Sequence, residues 1–108
     1  RIRSKLPEPL LASLYDKHAQ GLFDIGKVSE SQTYWNEVVD QYFPDQLAGS
    51  NALFNLSRIA FLFENDFKKA ESLCNRILYE SPHENIVEHA KLLLKNMENI
   101  KLGHTPAN

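Results

Sequence analysis

Apolar residues recur every three or four positions along most of the chain, which is the spacing of an amphipathic helix. No segment alternates between apolar and polar residues as a half-buried strand does. Proline and glycine stand between the apolar stripes and mark where helices begin and end. These signals predict an all-α fold with helices at residues 9–25, 28–43, 46–64, 67–80 and 82–101.

The start of the last helix carries the clearest local signal. Ser81, Pro82 and Glu84 have the spacing of an N-cap, a first helical residue and a third helical residue. A serine hydroxyl and a glutamate carboxylate at these positions accept backbone N–H groups that the helix leaves unpaired. Gly103 stands where a left-handed residue would end the helix.

The chain repeats itself with an offset of 39 residues, the separation of Gly26 and Asn65. The same offset places Trp35 on Cys74, and it aligns the sequence GKVSES with NDFKKA. Each copy predicts a helical hairpin, with the Trp35 ring filling the wedge between hairpins. Small side chains at matched positions would let neighbouring helices approach closely. These small residues are Ala19, Ser31, Ser57 and Ala70.

On these positions the chain resembles the tetratricopeptide repeat family. Residues 21–45 resemble the second half of a repeat, and residues 51–84 resemble a whole one. The sequences DQYFPD and YESPHE, which end the two copies, resemble bacterial envelope members of the family. The chain departs from the family pattern by one extra residue in the turn at residues 63–66, and by lacking glycine beside the small positions.

The resemblance implies a right-handed superhelix built from two hairpins and a C-terminal capping helix. It divides the chain into an N-terminal extension, two hairpins, a capping helix and a tail, at residues 1–8, 9–44, 45–81, 82–102 and 103–108. The last helix could instead be the first helix of a third repeat. A periplasmic or cell-envelope location follows from the resemblance alone, since the sequence itself leaves the compartment open.

The resemblance also implies a concave surface lined by the first helix of each hairpin. In the first hairpin this surface would carry Asp16, Gln20, Phe23 and Asp24. In the second it would carry Asn51, Phe54, Asn55, Arg58 and Leu62. Such a mixture of aromatic, amide and charged side chains suits a peptide or a partner protein. Because Asp16 would repel a carboxylate, we expect a basic or neutral partner.

Composition and charge narrow the classes of partner. The chain has 108 residues, of which 43% are hydrophobic and 24% charged, as in an ordinary globular domain. Residues 8–47 hold seven acidic side chains against two lysines, which disfavours nucleic-acid binding. No apolar run is long enough to span a membrane.

The residues that could carry chemistry favour structural roles. Cys74 and His18 lie on apolar stripes and are expected to pack inside the hairpins. His83 and His89 are six positions apart, so they face different sides of a helix and predict no metal site. We therefore expect a non-catalytic interaction scaffold with no metal and no cofactor. The alternatives are an oligomerising structural module and an accessory domain of a larger enzyme or transport machine.

A second surface is also open to a partner. Tyr34 and Trp35 are adjacent, so they cannot both face the core, and Trp35 is assigned to the core. Tyr34, Tyr42 and Phe43 are then expected to be partly exposed on the convex side, where they could form another interface.

Overall fold

The computed structural model describes the backbone of residues 8–101 and the side chains of residues 14–101. The described backbone forms five α-helices and no strand, which confirms the all-α prediction. The helices are α1 (Glu8–Asp24), α2 (Val28–Tyr42), α3 (Leu47–Leu62), α4 (Phe67–Glu80) and α5 (Glu84–Lys101). Residues 1–7 of the predicted extension and the whole predicted tail lie outside the described residues, whereas Glu8 belongs to α1.

Consecutive helices pack against each other, and α3 lies at the centre of the fold. It contacts all four other helices, with α1 on one side and α5 on the other. Nine of its residues are buried, more than in any other described helix, because neighbours cover it from several directions. The side chains that α3 leaves accessible therefore lie between α1 and α5.

The turn between α1 and α2 depends on glycine. Gly26 has a φ of 87°, a backbone conformation that glycine adopts without steric cost. The N–H of Lys27 donates to the carbonyl of Leu22 at 2.8 Å, and the N–H of Gly26 donates to Phe23 at 3.0 Å. This pair of bonds is a Schellman motif, which satisfies the last carbonyls of α1.

The turn between α3 and α4 repeats this conformation with one more residue. Asn65, the residue aligned with Gly26, also has a positive φ, at 53°. The closing bond now runs from the N–H of Asp66 to the carbonyl of Ala60 at 2.8 Å, which spans one residue more than the bond in the first turn. The side chain of Asp66 then accepts the N–H of Lys69 at 3.0 Å and caps α4.

The two hairpins bury the residues that the offset aligns. Trp35 is 1% exposed and Cys74 is fully buried, as are Val38 and Ile77. The four small residues predicted to allow close helix approach are also fully buried. The internal repeat predicted from the sequence is therefore present in the packing as well as in the turns.

The start of α5 differs from the prediction. The helix begins at Glu84, two residues later than expected. Ser81 is the C-cap residue of α4, and its hydroxyl accepts the N–H of His83 at 3.1 Å. The same hydroxyl lies 2.6 Å from the hydroxyl of Ser50 in α3. Ser81 thus connects α3 to the α4–α5 turn, a role that depends on a residue distant in sequence.

Two expectations about exposure are wrong. Tyr42 is 3% exposed and belongs to the core, because it follows Trp35 and Val38 on the same face of α2. His18 is exposed rather than packed inside the hairpin, and its ring contacts Tyr34 edge-on at 4.5 Å. The convex aromatic surface is therefore smaller than predicted.

Phe43 is half-buried at the end of α2. The Arg76 guanidinium of α4 lies over its ring, 4.9 Å from the ring centre. A cation in this position covers part of the ring that would otherwise face solvent. Of the three aromatics expected on the convex side, Tyr34 is the most exposed, at 37%.

Candidate binding groove

An open groove of about 640 Å³ runs along α3 between α1 and α5. Its volume falls within the usual range for ligand sites, and its open form suits an extended ligand. We call it the α3 groove. Helix α1 lines it with Asp16. Helix α3 and the residue before it line it with Gln46, Leu47, Ala48, Asn51, Phe54, Asn55 and Arg58. Helix α5 lines it with Asn85, Ile86 and His89.

Five of the nine predicted site residues line the α3 groove. They are Asp16, Asn51, Phe54, Asn55 and Arg58. Their convergence follows from the packing of α1 beside α3, which places one face of each helix at the same opening.

Gln20 and Phe23 do not line the α3 groove but an adjoining cleft, which shares two α3 residues with it. This cleft has room for only about 10 Å³, which is at the lower limit for a single water molecule. The Phe23 ring packs at 5.9 Å from Trp35 and at 5.5 Å from Phe63. Phe23 was expected to line the binding surface, but its contacts are those of a packing residue.

Asp24 and Leu62 also lie outside the α3 groove. The Asp24 carboxylate accepts a hydrogen bond from Gln20 Nε2 at 2.8 Å, one turn earlier in α1. Leu62 is 60% exposed and borders a neighbouring hollow of about 270 Å³. We call this the apolar hollow, which is lined by Phe54, Arg58, Phe61, Leu62, His89, Leu92, Leu93 and Asn96.

The core of the first hairpin holds Asp16 in place. The indole N–H of Trp35 donates to Asp16 Oδ1 at 3.0 Å. Asn51 Nδ2 lies 3.5 Å and 3.4 Å from the two carboxylate oxygens, at the long limit of hydrogen bonding. Because the Trp35 ring is buried, its N–H is a fixed donor that orients the carboxylate towards the groove.

Phe54 provides the main aromatic surface of the groove. Its ring is half-buried and lies 5.7 Å from the imidazole of His89, with the two planes inclined by 33°. The Arg58 guanidinium lies 5.9 Å from the centre of the same ring, within the range of cation–π attraction. Phe54 therefore presents an apolar surface bordered by two polar side chains.

Sequence reasoning missed the wall that α5 contributes. Asn85, Ile86 and His89 were not among the predicted site residues, because α5 was described as a capping helix. Helix α5 packs against α3 as α1 does. The alternative that α5 is the first helix of a third hairpin stays a prediction. Under that alternative, α5 would have been expected to line the binding surface as α1 and α3 do.

The Cys74 thiol is buried in α4. Burial raises the pKa of the Cys74 thiol, which keeps it neutral and a poor nucleophile near neutral pH. Within residues 14–101, no three histidine, cysteine or acidic side chains converge as metal ligands would. None of the helices in residues 8–101 combines the length and apolar character needed to cross a membrane.

Comparison of the chain with protein-family models, curated proteins and solved structures finds no match. The resemblance to tetratricopeptide repeats therefore rests on the chain's own repeat. The aligned turns and the aligned buried positions show that the repeat is present in the structure.

Proposed function

We propose that the chain is a non-catalytic interaction scaffold of tetratricopeptide-repeat type, which binds a peptide segment of a partner protein in the α3 groove. The observation that carries this proposal is the convergence of five predicted side chains with three from α5 around one open groove. The groove is large enough for several peptide residues, and it follows the length of a helix that the core holds rigidly.

The side chains of the groove suit the two needs of peptide recognition. Asn51 and Asn85 carry amide groups that can donate to a peptide carbonyl and accept from a peptide N–H. Asn55 is largely buried at the base of the groove, where its Oδ1 accepts from Arg58. Phe54, above the buried Ile86, supplies apolar surface for a side chain of the ligand. Amides would then bind any peptide backbone, while the apolar surface would favour particular side chains.

A selection from random peptides displayed on phage tests the proposal. Peptides enriched on the purified chain are synthesised, and their affinities are measured for wild type, Phe54→Ala and Tyr79→Ala. Tyr79 is the matched control, because it is 84% exposed on α4 and does not line the groove. Removing a buried aromatic anchor typically costs about 2 kcal/mol, so Phe54→Ala should bind about thirtyfold more weakly.

Tyr79→Ala should bind the selected peptides as wild type does. Circular dichroism and urea midpoints confirm that both variants fold. Two results would contradict the proposal: a selection in which no peptide rises above background, and equal affinities for wild type and Phe54→Ala.

Self-association is the second candidate, and the apolar hollow favours it. Leu62 and Leu92 border this hollow and are 60% and 50% exposed. A second copy could cover such apolar surface. Light scattering of wild type and of Leu92→Glu separates the two functions. A dimer that dissociates in the variant would support self-association, and a monomer in both would support the scaffold.

A further inference from the structure

We propose that the α3 groove selects peptides carrying a lysine or arginine side chain, and that this cation pairs with the carboxylate of Asp16. The inference rests on the proposed function, because it names the chemistry of the peptide that the groove would bind. It makes Asp16 a specificity-determining residue and leaves Phe54 as the apolar contact.

Neutral donors alone surround the Asp16 carboxylate among the described side chains. Trp35 and Asn51 donate to it, and none of the ion pairs among the described residues includes it. A carboxylate has about four acceptor positions on its two oxygens. Because Asp16 lines the groove, a cationic side chain of the ligand can reach the acceptor positions that the two donors leave open.

The carboxylate is oriented before a ligand binds. Trp35 is buried and donates to one oxygen at 3.0 Å, which restricts the rotation of the Asp16 side chain. A charged group held in its binding orientation loses less conformational entropy when the ligand arrives. Asp24, in contrast, is exposed at the end of α1 and pairs with Gln20 of its own helix.

The Arg58 guanidinium, which also borders the groove, lies further along α3. Arg58 follows Asn51 by seven residues, which corresponds to about 10 Å along a helix. Arg58 and His89 contact the Phe54 ring rather than Asp16. The negative and positive ends of the groove are thus separated by about three residues of an extended peptide. A basic side chain is expected at the Asp16 end.

The positions of Asp16 and Phe54 also determine how far apart the basic and the apolar residue stand in the bound peptide. Phe54 lies one helical turn beyond Asn51, the α3 neighbour of Asp16, and on the side that faces α5. The axes of packed helices usually lie about 8–10 Å apart, and one helical turn adds about 5 Å along the groove, so the Phe54 ring lies about 10 Å from the Asp16 side of the groove. We expect the basic residue to stand about two to four positions from an apolar residue in bound peptides.

The test repeats the phage selection on wild type, Asp16→Asn and Asp24→Asn. Asparagine keeps an oxygen that can accept the Trp35 N–H, so Asp16→Asn removes the charge and retains the hydrogen bond. Wild type and Asp24→Asn should enrich peptides with lysine or arginine at the stated distance from an apolar residue. Asp16→Asn should enrich the apolar residue without the basic one.

A peptide-side change gives a second measurement that does not depend on a variant's folding. Replacing the basic residue of a selected peptide by norleucine should weaken binding to wild type by about tenfold, and to Asp16→Asn by less than about twofold. The loss on wild type should shrink as salt is added, because salt screens an exposed ion pair.

The outcomes separate the inference from the proposed function. If no peptide rises above background, both are overturned. If peptides with an apolar residue are enriched without a basic one, groove binding stands and the inference is overturned. An equal loss on wild type and Asp16→Asn after the norleucine change also overturns the inference.

Discussion

The two hairpins share a turn conformation but differ in the side chain that is buried at the aligned position of their second helix. Trp35 of the first hairpin and Cys74 of the second occupy aligned positions, and both are buried. The Trp35 indole fills space inside the first hairpin and also donates a hydrogen bond to Asp16. The smaller Cys74 thiol is buried in a hairpin against which α5 packs. The same position of the repeat therefore holds a large side chain with a polar contact in one hairpin and a small side chain in the other.

The largest expected effect comes from shortening the side chains at these aligned positions. Trp35→Ala should lower the free energy of unfolding by about 3–5 kcal/mol, because it leaves a large cavity and removes a hydrogen bond to Asp16. Cys74→Ala should lower it by about 1 kcal/mol, since only one atom is removed. Urea unfolding followed by circular dichroism measures both. Equal losses would mean that the two positions are not filled differently.

Two glycines extend the comparison to the helices themselves. A Cβ on Gly49 would lie 2.5 Å from the backbone nitrogen of Phe43, so Gly49→Ala would force the start of α3 away from α2. We expect a loss of about 1–3 kcal/mol. Gly21 in α1 has nothing within 4 Å of the corresponding position, and Gly21→Ala should stabilise the helix by about 0.5–1 kcal/mol. Urea midpoints that move in the same direction would contradict this account.

At the residue with positive φ in each turn, glycine should preserve the stability of the fold and alanine should lower it. Gly26→Ala places a side chain at a φ of 87° and should cost about 1–2 kcal/mol. Asn65→Gly keeps the positive φ available and should change the free energy of unfolding by less than about 0.5 kcal/mol. Thermal unfolding of the two variants checks the difference. A large loss in Asn65→Gly would show that the asparagine side chain contributes more than its backbone conformation.

The smallest effect concerns a polar contact between the hairpins. Glu64 accepts hydrogen bonds from Lys69 and from Gln32 of α2, each at 2.9 Å. These hydrogen bonds, of which the one from Lys69 has the larger effect, lower the pKa of Glu64 below its usual value of 4.5. A lowered pKa in the folded state stabilises the fold above about pH 4.5, and the contribution disappears as the pH falls through the folded pKa.

Glu64→Gln should therefore cost a few tenths of a kcal/mol, about the value of an exposed ion pair, at pH 7. The substitution should leave the free energy of unfolding unchanged once the pH lies below the pKa of Glu64 in the folded state. Lys69→Met should show the same pH dependence, and the double variant should lose little more than either single one. Urea unfolding at neutral and acidic pH makes the comparison. A loss that stays constant with pH would contradict it.

Much of the fold could be predicted because its signals are local. The helical period located every helix, and the offset between Gly26 and Asn65 identified both turns with positive φ. The start of α5 was placed too early because Ser81 carries the signal of an N-cap, whereas it closes α4 and contacts Ser50 of α3. That contact joins residues far apart in sequence, so a local pattern contains no sign of it.

The groove could be predicted only in part. The resemblance gave the α1 and α3 sides, but it also included Phe23, whose ring packs against Trp35 and Phe63. His89 was missed because a polar residue facing a groove and one facing solvent look alike on an amphipathic helix. The bond between Trp35 and Asp16 could not be foreseen, since it needs the angle between α1 and α2.

A nitrogen–proton correlation spectrum, recorded during titration with a selected peptide, tests groove binding most directly. The side-chain amides of Asn51, Asn55 and Asn85 lie in the groove and report on its occupation. Asn36 and Asn75 are exposed on α2 and α4 and serve as controls. We predict that the three groove amides shift as the peptide binds and that the controls do not. Shifts confined to Asn36 or Asn75, with the groove amides unchanged, would contradict binding in the α3 groove.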